Sequence, residues 1–202
     1  LDVSNASMYD GSTATAEAMF MATAARKKDI ILVSKTVNPN IIKVIETYAL
    51  YRGLKVEYIN ENNGITDIED FKAKNSKEHA GIIVQNPNYY GIIEDYSGYR
   101  EILDETKGIF IMNHDPATLG ILKSPAEYGV DIAVGDGQSL GIPLNFGGPY
   151  IGYLATTTKL MRKMPGRICG VTTDTEGNPP LAVTDVVAIT EHPLVALVAV
   201  TE

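Results

Sequence analysis

Short, unbroken apolar runs recur along this chain with helix-spaced segments between them, and that alternation restricts the fold more than any other feature. Residues 29–34 (DIILVS), 81–85 (GIIVQ) and 109–113 (IFIMN) lack a polar alternation, so each reads as a strand covered on both faces. Residues 55–59, 131–134 and 150–156 read as further strands, the last returning after a glycine-rich loop. Between them lie four expected helices. Residues 13–26 are almost wholly small or apolar, so a helix there is buried on most sides. Asn38 and Pro39 cap and open a second, with Ile41, Val44, Ile45 and Tyr48 at helical spacing and Gly53 at its end. Residues 66–74 and 95–106 supply the other two. Such an order predicts an α/β domain of parallel βαβ units with right-handed crossovers. In such sheets functional residues gather at the carboxyl ends of the strands, where Asn86, His114-Asp115 and residues 135–138 fall.

This pattern occupies residues 1–178. Residues 179–202 form an atypical tail: from residue 181 on it holds no Lys or Arg and is dense in Val and Ala. It is either a pair of strands or sequence foreign to the parent protein. The chain opens at Leu1 rather than Met, on what reads as the approach to a helix, so a fragment of a longer protein is expected. A net charge of −8 argues against nucleic acid as a partner. No apolar run approaches the roughly 20 residues that span a bilayer, so no membrane partner is expected. The single Cys169 excludes an internal disulfide and suits a reducing cytoplasm.

Several residues could carry chemistry. Gly11, Ser12 and Thr13, after Asp10, sit where a helix start offers free N–H groups to a phosphate; the simpler reading is a cap made by Asp10 or Ser12. Asn86-Pro87-Asn88 offers amides to a ring hydroxyl, although turn chemistry explains it as well. At the end of the IFIMN run, Asp115 is placed to keep a pyridine nitrogen protonated, with His114 stacked on the ring; otherwise Asp115 caps a helix opened by Pro116. Glycines 135, 137, 141, 147 and 148 shape a loop that a ligand or another chain can approach closely. Lys159, Arg162, Lys163 and Arg167 form a basic cluster, either a docking patch or a solvated helix face. The three histidines, 79, 114 and 192, are scattered, so no metal site is expected. Neither a Ser-His-Asp triad nor a nucleophile elbow is readable.

Together, NASMYDGSTATAEAM (5–19), QNPNYYGIIED (85–95), the long run from NHDPATLG to YIGYLAT (113–156) and KLMRKMPGRICG (159–170) resemble the glycine cleavage system P-protein, the pyridoxal-phosphate-dependent glycine dehydrogenase (decarboxylating). The likeness is closest to subunit 1 of its two-subunit form. It implies a three-layer, mostly parallel large domain of the fold type I, aspartate-aminotransferase-like class. It also implies pyridoxal phosphate in a cytoplasmic heterotetramer whose subunit 2 carries the Schiff-base lysine. Glycine would be decarboxylated there and its aminomethyl group passed to the lipoylated H-protein. Counting back from Gly147-Gly148-Pro149 puts Gln138 at the lysine position, and an amide nitrogen forms no imine. The implied pocket is therefore vestigial, made of Gly11, Ser12, Thr13, Asn86, His114, Asp115 and Gln138, with no catalytic residue of its own. The family's long N-terminal region and C-terminal small domain are missing, and the pattern is lost after about residue 178. Two other readings stand beside this one: an independent pyridoxal enzyme using Lys123 or Lys159, and an interaction scaffold with an empty pocket.

Overall fold

The computed structural model describes residues 1–168, Ser7 excepted. In chain order these form β1 (Val3–Ala6), α1 (Gly11–Arg26), β2 (Ile30–Ser34), α2 (Pro39–Arg52), β3 (Lys55–Ile59), β4 (Glu61–Asn62), β5 (Ile65–Thr66), α3 (Ile68–Lys74), β6 (His79–Gln85), α4 (Tyr99–Thr106), β7 (Ile109–Asn113), β8 (Ile132–Asp136), β9 (Gly152–Thr156) and β10 (Arg167–Ile168). Short 3-10 helices fill the connections at Pro116–Gly120, Pro125–Tyr128, Gln138–Leu140, Asn145–Gly147 and Thr158–Lys163. The tail and Cys169 lie outside the described residues.

Eight strands make one sheet in the order β10-β1-β9-β8-β7-β6-β2-β3. Neighbours from β3 through β8 run parallel; β9 is antiparallel to both β8 and β1, and β10 is antiparallel to β1. The unbroken apolar runs acquire their meaning here. Ile31, Val33, Ile83, Ile111 and Ile132 face α1 and α2, whereas Leu32, Ile82, Val84, Phe110 and Met112 face the side of α3 and α4. Alternate residues of one strand thus enter two different cores, as a period of two requires. Each fully buried side chain of this kind contributes about 1.5–3 kcal/mol. The result is a three-layer α/β domain, as the alternation predicts.

The helices keep close to their expected bounds. Asp10 caps α1, accepting from Thr13 N at 2.7 Å, and Asn38 caps α2 with Pro39 at its start. α4 begins at Tyr99 rather than near residue 95, because Gly98 takes a left-handed conformation and resets the chain. The strands β1 and β10 and a small hairpin depart from the sequence reading. The approach to α1 is a strand, β1, held between β9 and β10, and its β9 partners Ala155 and Thr156 lie far along the chain. A small hairpin, β4–β5, turns at Asn63-Gly64 with both residues at positive φ, the geometry that an Asn-Gly pair favours. Among the described residues, no helix is long and apolar enough to cross a membrane.

Candidate functional site

Strands β6, β7 and β8 end side by side. Gln85 pairs with Asn113 and Asn113 with Val134, so the chain beyond each opens at one sheet edge. A polar cleft of about 310 Å3 lies there, lined by Asn38, Gln85, Asn113, His114, Asp115, Asp136, Gln138 and Ser139 among others. Neither Lys nor Arg lines it among the described residues.

His114 is held tightly. Its N–H donates to Val134 O at 2.9 Å, and its carbonyl accepts from the Tyr153 hydroxyl at 2.8 Å. The two rings stand 5.4 Å apart at 57°. The imidazole is buried, and its Nδ1 has no hydrogen-bond partner. Burial pushes this group below its usual value of 6.5, with the adjacent Asp115 pulling the other way, so the ring is mostly neutral near pH 7. Burial, reinforced by the Asp115 and Asp136 carboxylates, holds the Tyr153 phenol well above its usual value of 10.0. Close approach at β8 depends on Gly135, where a Cβ would stand 2.0 Å from His114 O.

Asp115 is exposed and caps the 3-10 helix Pro116–Gly120, accepting from Ala117 N at 2.9 Å. It also accepts from the Ser139 hydroxyl, which ties the loop after β8 to the end of β7. Gln138 opens the next 3-10 helix, and its Oε1 is buried with no partner. Asp136 closes β8 and accepts from Gly11 N at 2.7 Å, joining the strand end to the first turn of α1. A second tie runs from Asn113 Nδ2 to Thr15 Oγ1 at 2.9 Å. On the other side of His114 lies an apolar cavity of about 390 Å3, whose wall includes Leu119, Leu140, Ile142, Ile151 and Tyr153.

The structure therefore gathers His114, Asp115 and Gln138 into one cleft and leaves other expected residues outside its lining. Gly11 reaches the cleft only through Asp136, and Ser12 and Thr13 do not line it. Asn86 does not line it either: its amide donates to Glu94 O and accepts from Glu94 N, both at 3.1 Å, which is turn chemistry. Asn88 does similar work, donating to Gly64 O and Glu94 Oε1 at 2.7 Å each. Asn38, Gln85, Ser139 and Tyr153 enter the site unforeseen, whereas Asp136 falls within the strand end 135–138 that the sequence marks. Gln85 and Asn113 had a signal, being the polar residues that end apolar runs.

The remaining lysine candidates sit elsewhere. Lys123 Nζ lies 4.1 Å from the Tyr128 ring centroid and 3.5 Å from Ser97 Oγ. Lys159, Arg162 and Lys163 are exposed on the 3-10 helix Thr158–Lys163, a solvated face. Among the described residues no group of His, Cys, Asp and Glu could hold a metal ion.

The sequence matches the family model described as the glycine cleavage system P-protein over residues 1–185. Among curated proteins, the "Probable glycine dehydrogenase (decarboxylating) subunit 1" of Shouchella clausii is 49% identical over 177 residues, covering 88% of this chain and 40% of that protein. Its namesake from Moorella thermoacetica is 46% identical over the same lengths. The chain thus spans about 40% of the length of these relatives. Among solved structures, an inhibitor-bound glycine decarboxylase (P-protein) of the glycine cleavage system superposes with a TM-score of 0.82 at 40% identity, over 91% of this chain and 41% of that one. A cysteine desulfurase from Escherichia coli, at 15% identity, superposes with a TM-score of 0.63 over 88% of this chain and 45% of that one, which speaks to the fold alone.

Proposed function

The chain belongs to the glycine cleavage system P-protein family, and from that membership we propose that it is a section of subunit 1 of glycine dehydrogenase (decarboxylating), acting only within a complex. In this reading a second P-protein subunit supplies the Schiff-base lysine, glycine is the substrate, and the lipoylated H-protein receives the aminomethyl group. The complex is a cytoplasmic heterotetramer, and residues 1–178 are the large-domain part of this subunit. The isolated chain is inactive.

One observation carries the proposal: among the described residues, the cleft at the ends of β6, β7 and β8 presents Gln138 and no lysine. The residues present do not fit pyridoxal phosphate. Gln138 offers no nucleophilic nitrogen, and the cleft lining brings carboxylates without a cation for a phosphate. The chemistry of the cofactor is therefore assigned to the partner. What this chain contributes is a fixed wall. Tyr153 holds His114, Ser139 holds Asp115, and Gly11 holds Asp136, so the chain's own hydrogen bonds tie the ends of β7 and β8 together. An independent pyridoxal enzyme using Lys123 is not favoured, because that ammonium group sits over Tyr128 instead of lining the cleft.

The test is to mix the chain with pyridoxal phosphate, reduce with borohydride, and measure intact mass and the modified residue. No stoichiometric adduct is expected on any one lysine of this chain, whereas the partner subunit treated alike gains one. A stoichiometric adduct on a single lysine here overturns the proposal. So does a partner subunit that decarboxylates glycine at full rate without this chain.

A further inference from the structure

The first turn of α1 is where the sequence pattern places a phosphate, yet its donors are already engaged. Gly11 N donates to Asp136 Oδ1 at 2.7 Å, and Thr13 N donates to Asp10 Oδ1 at 2.7 Å. Two of the first three N–H groups of the helix therefore hold carboxylates of this same chain. The fit at Gly11 leaves no slack. A Cβ there would lie 2.7 Å from Asp136 Oδ2, 2.8 Å from its backbone nitrogen and 2.9 Å from its Cγ.

The backbone behind the carboxylate is clamped. Asp136 pairs with Gly152 of β9, Gly137 N donates to Ile151 O at 2.7 Å, and Gly152 N donates to Met8 O at 3.0 Å. The strand end, the returning strand and the lead-in to α1 are thus held together around this one contact. A helix N-terminus attracts negative charge through its free N–H groups and its dipole, and an aspartate satisfies both as a phosphate oxygen does.

We propose that Asp136 is a built-in anion at the start of α1, and that it closes this chain's cleft to phosphate-bearing ligands, pyridoxal phosphate included, whether bound covalently or not. The inference deepens the subunit reading, on which it rests only for the choice of ligand. A phosphate arriving at α1 finds Asp136 and Asp10 on the N–H groups it needs, Asp115 across the cleft, and no cation in the lining among the described residues. Like charges at such distances oppose binding. The missing lysine is then one of two barriers, and restoring it would leave the second in place.

The test uses the full 202-residue chain and its Asp136→Ala and Asp136→Asn variants, titrated with inorganic phosphate and with pyridoxal phosphate at constant ionic strength. Amide resonances of Gly11, Ser12 and Thr13 are followed, together with the melting temperature. The unaltered chain is expected to show no saturable shift at these amides. Asp136→Ala is expected to bind phosphate there about 5-fold to about 1,000-fold more tightly, the range for removing a like charge about 4 Å away in dielectrics from bulk water to protein surface. Asp136→Asn keeps the shape and an acceptor for Gly11 N, so a smaller gain is expected, and it serves where the alanine variant fails to fold. Saturable phosphate binding at Gly11–Thr13 in the unaltered chain, or no gain in either variant, overturns the proposal. Neither result bears on the borohydride test, because an imine on a lysine elsewhere leaves these three amides unshifted.

Discussion

Replacing Tyr153 with Phe isolates the contact that fixes the rear of the cleft. The hydroxyl serves two carbonyls, His114 O at 2.8 Å and Val134 O at 3.0 Å. Val134 O keeps the His114 N–H at 2.9 Å, but among the described residues His114 O has no other donor. Tyr153→Phe therefore leaves one carbonyl of a buried residue unpaired, at a cost of about 1–3 kcal/mol. For a chain of this length each kcal/mol lowers the melting temperature by about 2–4 °C, so a loss of about 4–8 °C is expected at the middle of that range. The pH dependence adds a second, independent sign. The folded phenol titrates well above its usual value of 10.0. Above about pH 10 the unfolded phenol loses its proton while the folded one keeps it, so the parent loses stability at up to about 1.4 kcal/mol per pH unit. The Phe variant has no such group, so the gap between the two must narrow as pH rises through that window. Urea denaturation followed by circular dichroism, from neutral pH to about pH 11, measures both effects. A gap below about 0.5 kcal/mol at neutral pH, or one that does not change above pH 10, refutes the assignment.

His114 predicts the acid side. Its folded value is depressed below 6.5, so the unfolded chain takes up a proton first and stability falls as pH drops from about 6.5 towards the folded value. An imidazole titration by NMR checks this, and a value at or above 6.5 contradicts it. Gly11→Ala places a methyl group 2.7 Å from Asp136 Oδ2 and 2.8 Å from the Asp136 backbone nitrogen, which is expected to cost about 1–3 kcal/mol in urea unfolding. Asn86→Ala removes the two bonds to the Glu94 backbone at a similar cost of about 1–3 kcal/mol. That loss should be the same with and without pyridoxal phosphate in the buffer, since the amide serves the turn; a loss seen only with the cofactor present shows that it serves a ligand.

The strands were legible wherever both faces are covered. Ile82 and Ile83 are neighbours in sequence that enter opposite cores, and only an unbroken apolar run permits that. β1 was hidden because four residues of mixed polarity carry no periodicity, and its pairing partners lie about 150 positions away. The β4–β5 hairpin did have a local signal in Asn63-Gly64. At the cleft, Asp115 and Gln138 were reachable by motif and by counting from the glycine loop. Asp136 fell within the marked strand end, but its bond to Gly11, 125 positions distant, was not legible. Burial of the His114 ring comes from tertiary packing, with the Tyr153 ring of β9 beside it, and no local pattern encodes it.

The polar groups of the cleft are mostly spent on the chain itself: Asp115 on Ser139 and Ala117, Asp136 on Gly11, and the Tyr153 hydroxyl on two carbonyls. Its apolar groups are not. Leu140, Leu144, Phe146 and Tyr150 stand exposed along the glycine-rich segment, and Phe146, fully exposed, holds a left-handed backbone at φ 47°. Large side chains in solvent gain nothing for a solitary domain, and a non-glycine residue in that region is itself strained. A catalytic cleft in its own right would invert this arrangement, keeping polar groups free for substrate and the rim wet. Here the cleft's carboxylates are held by the chain itself, and among the described residues only His114 Nδ1 and Gln138 Oε1 of its buried side-chain polar atoms are left unpaired. With apolar surface offered outside, this balance suits a subunit whose task is to brace a neighbouring active site. It is the physical reason for preferring the subunit reading over a self-sufficient enzyme.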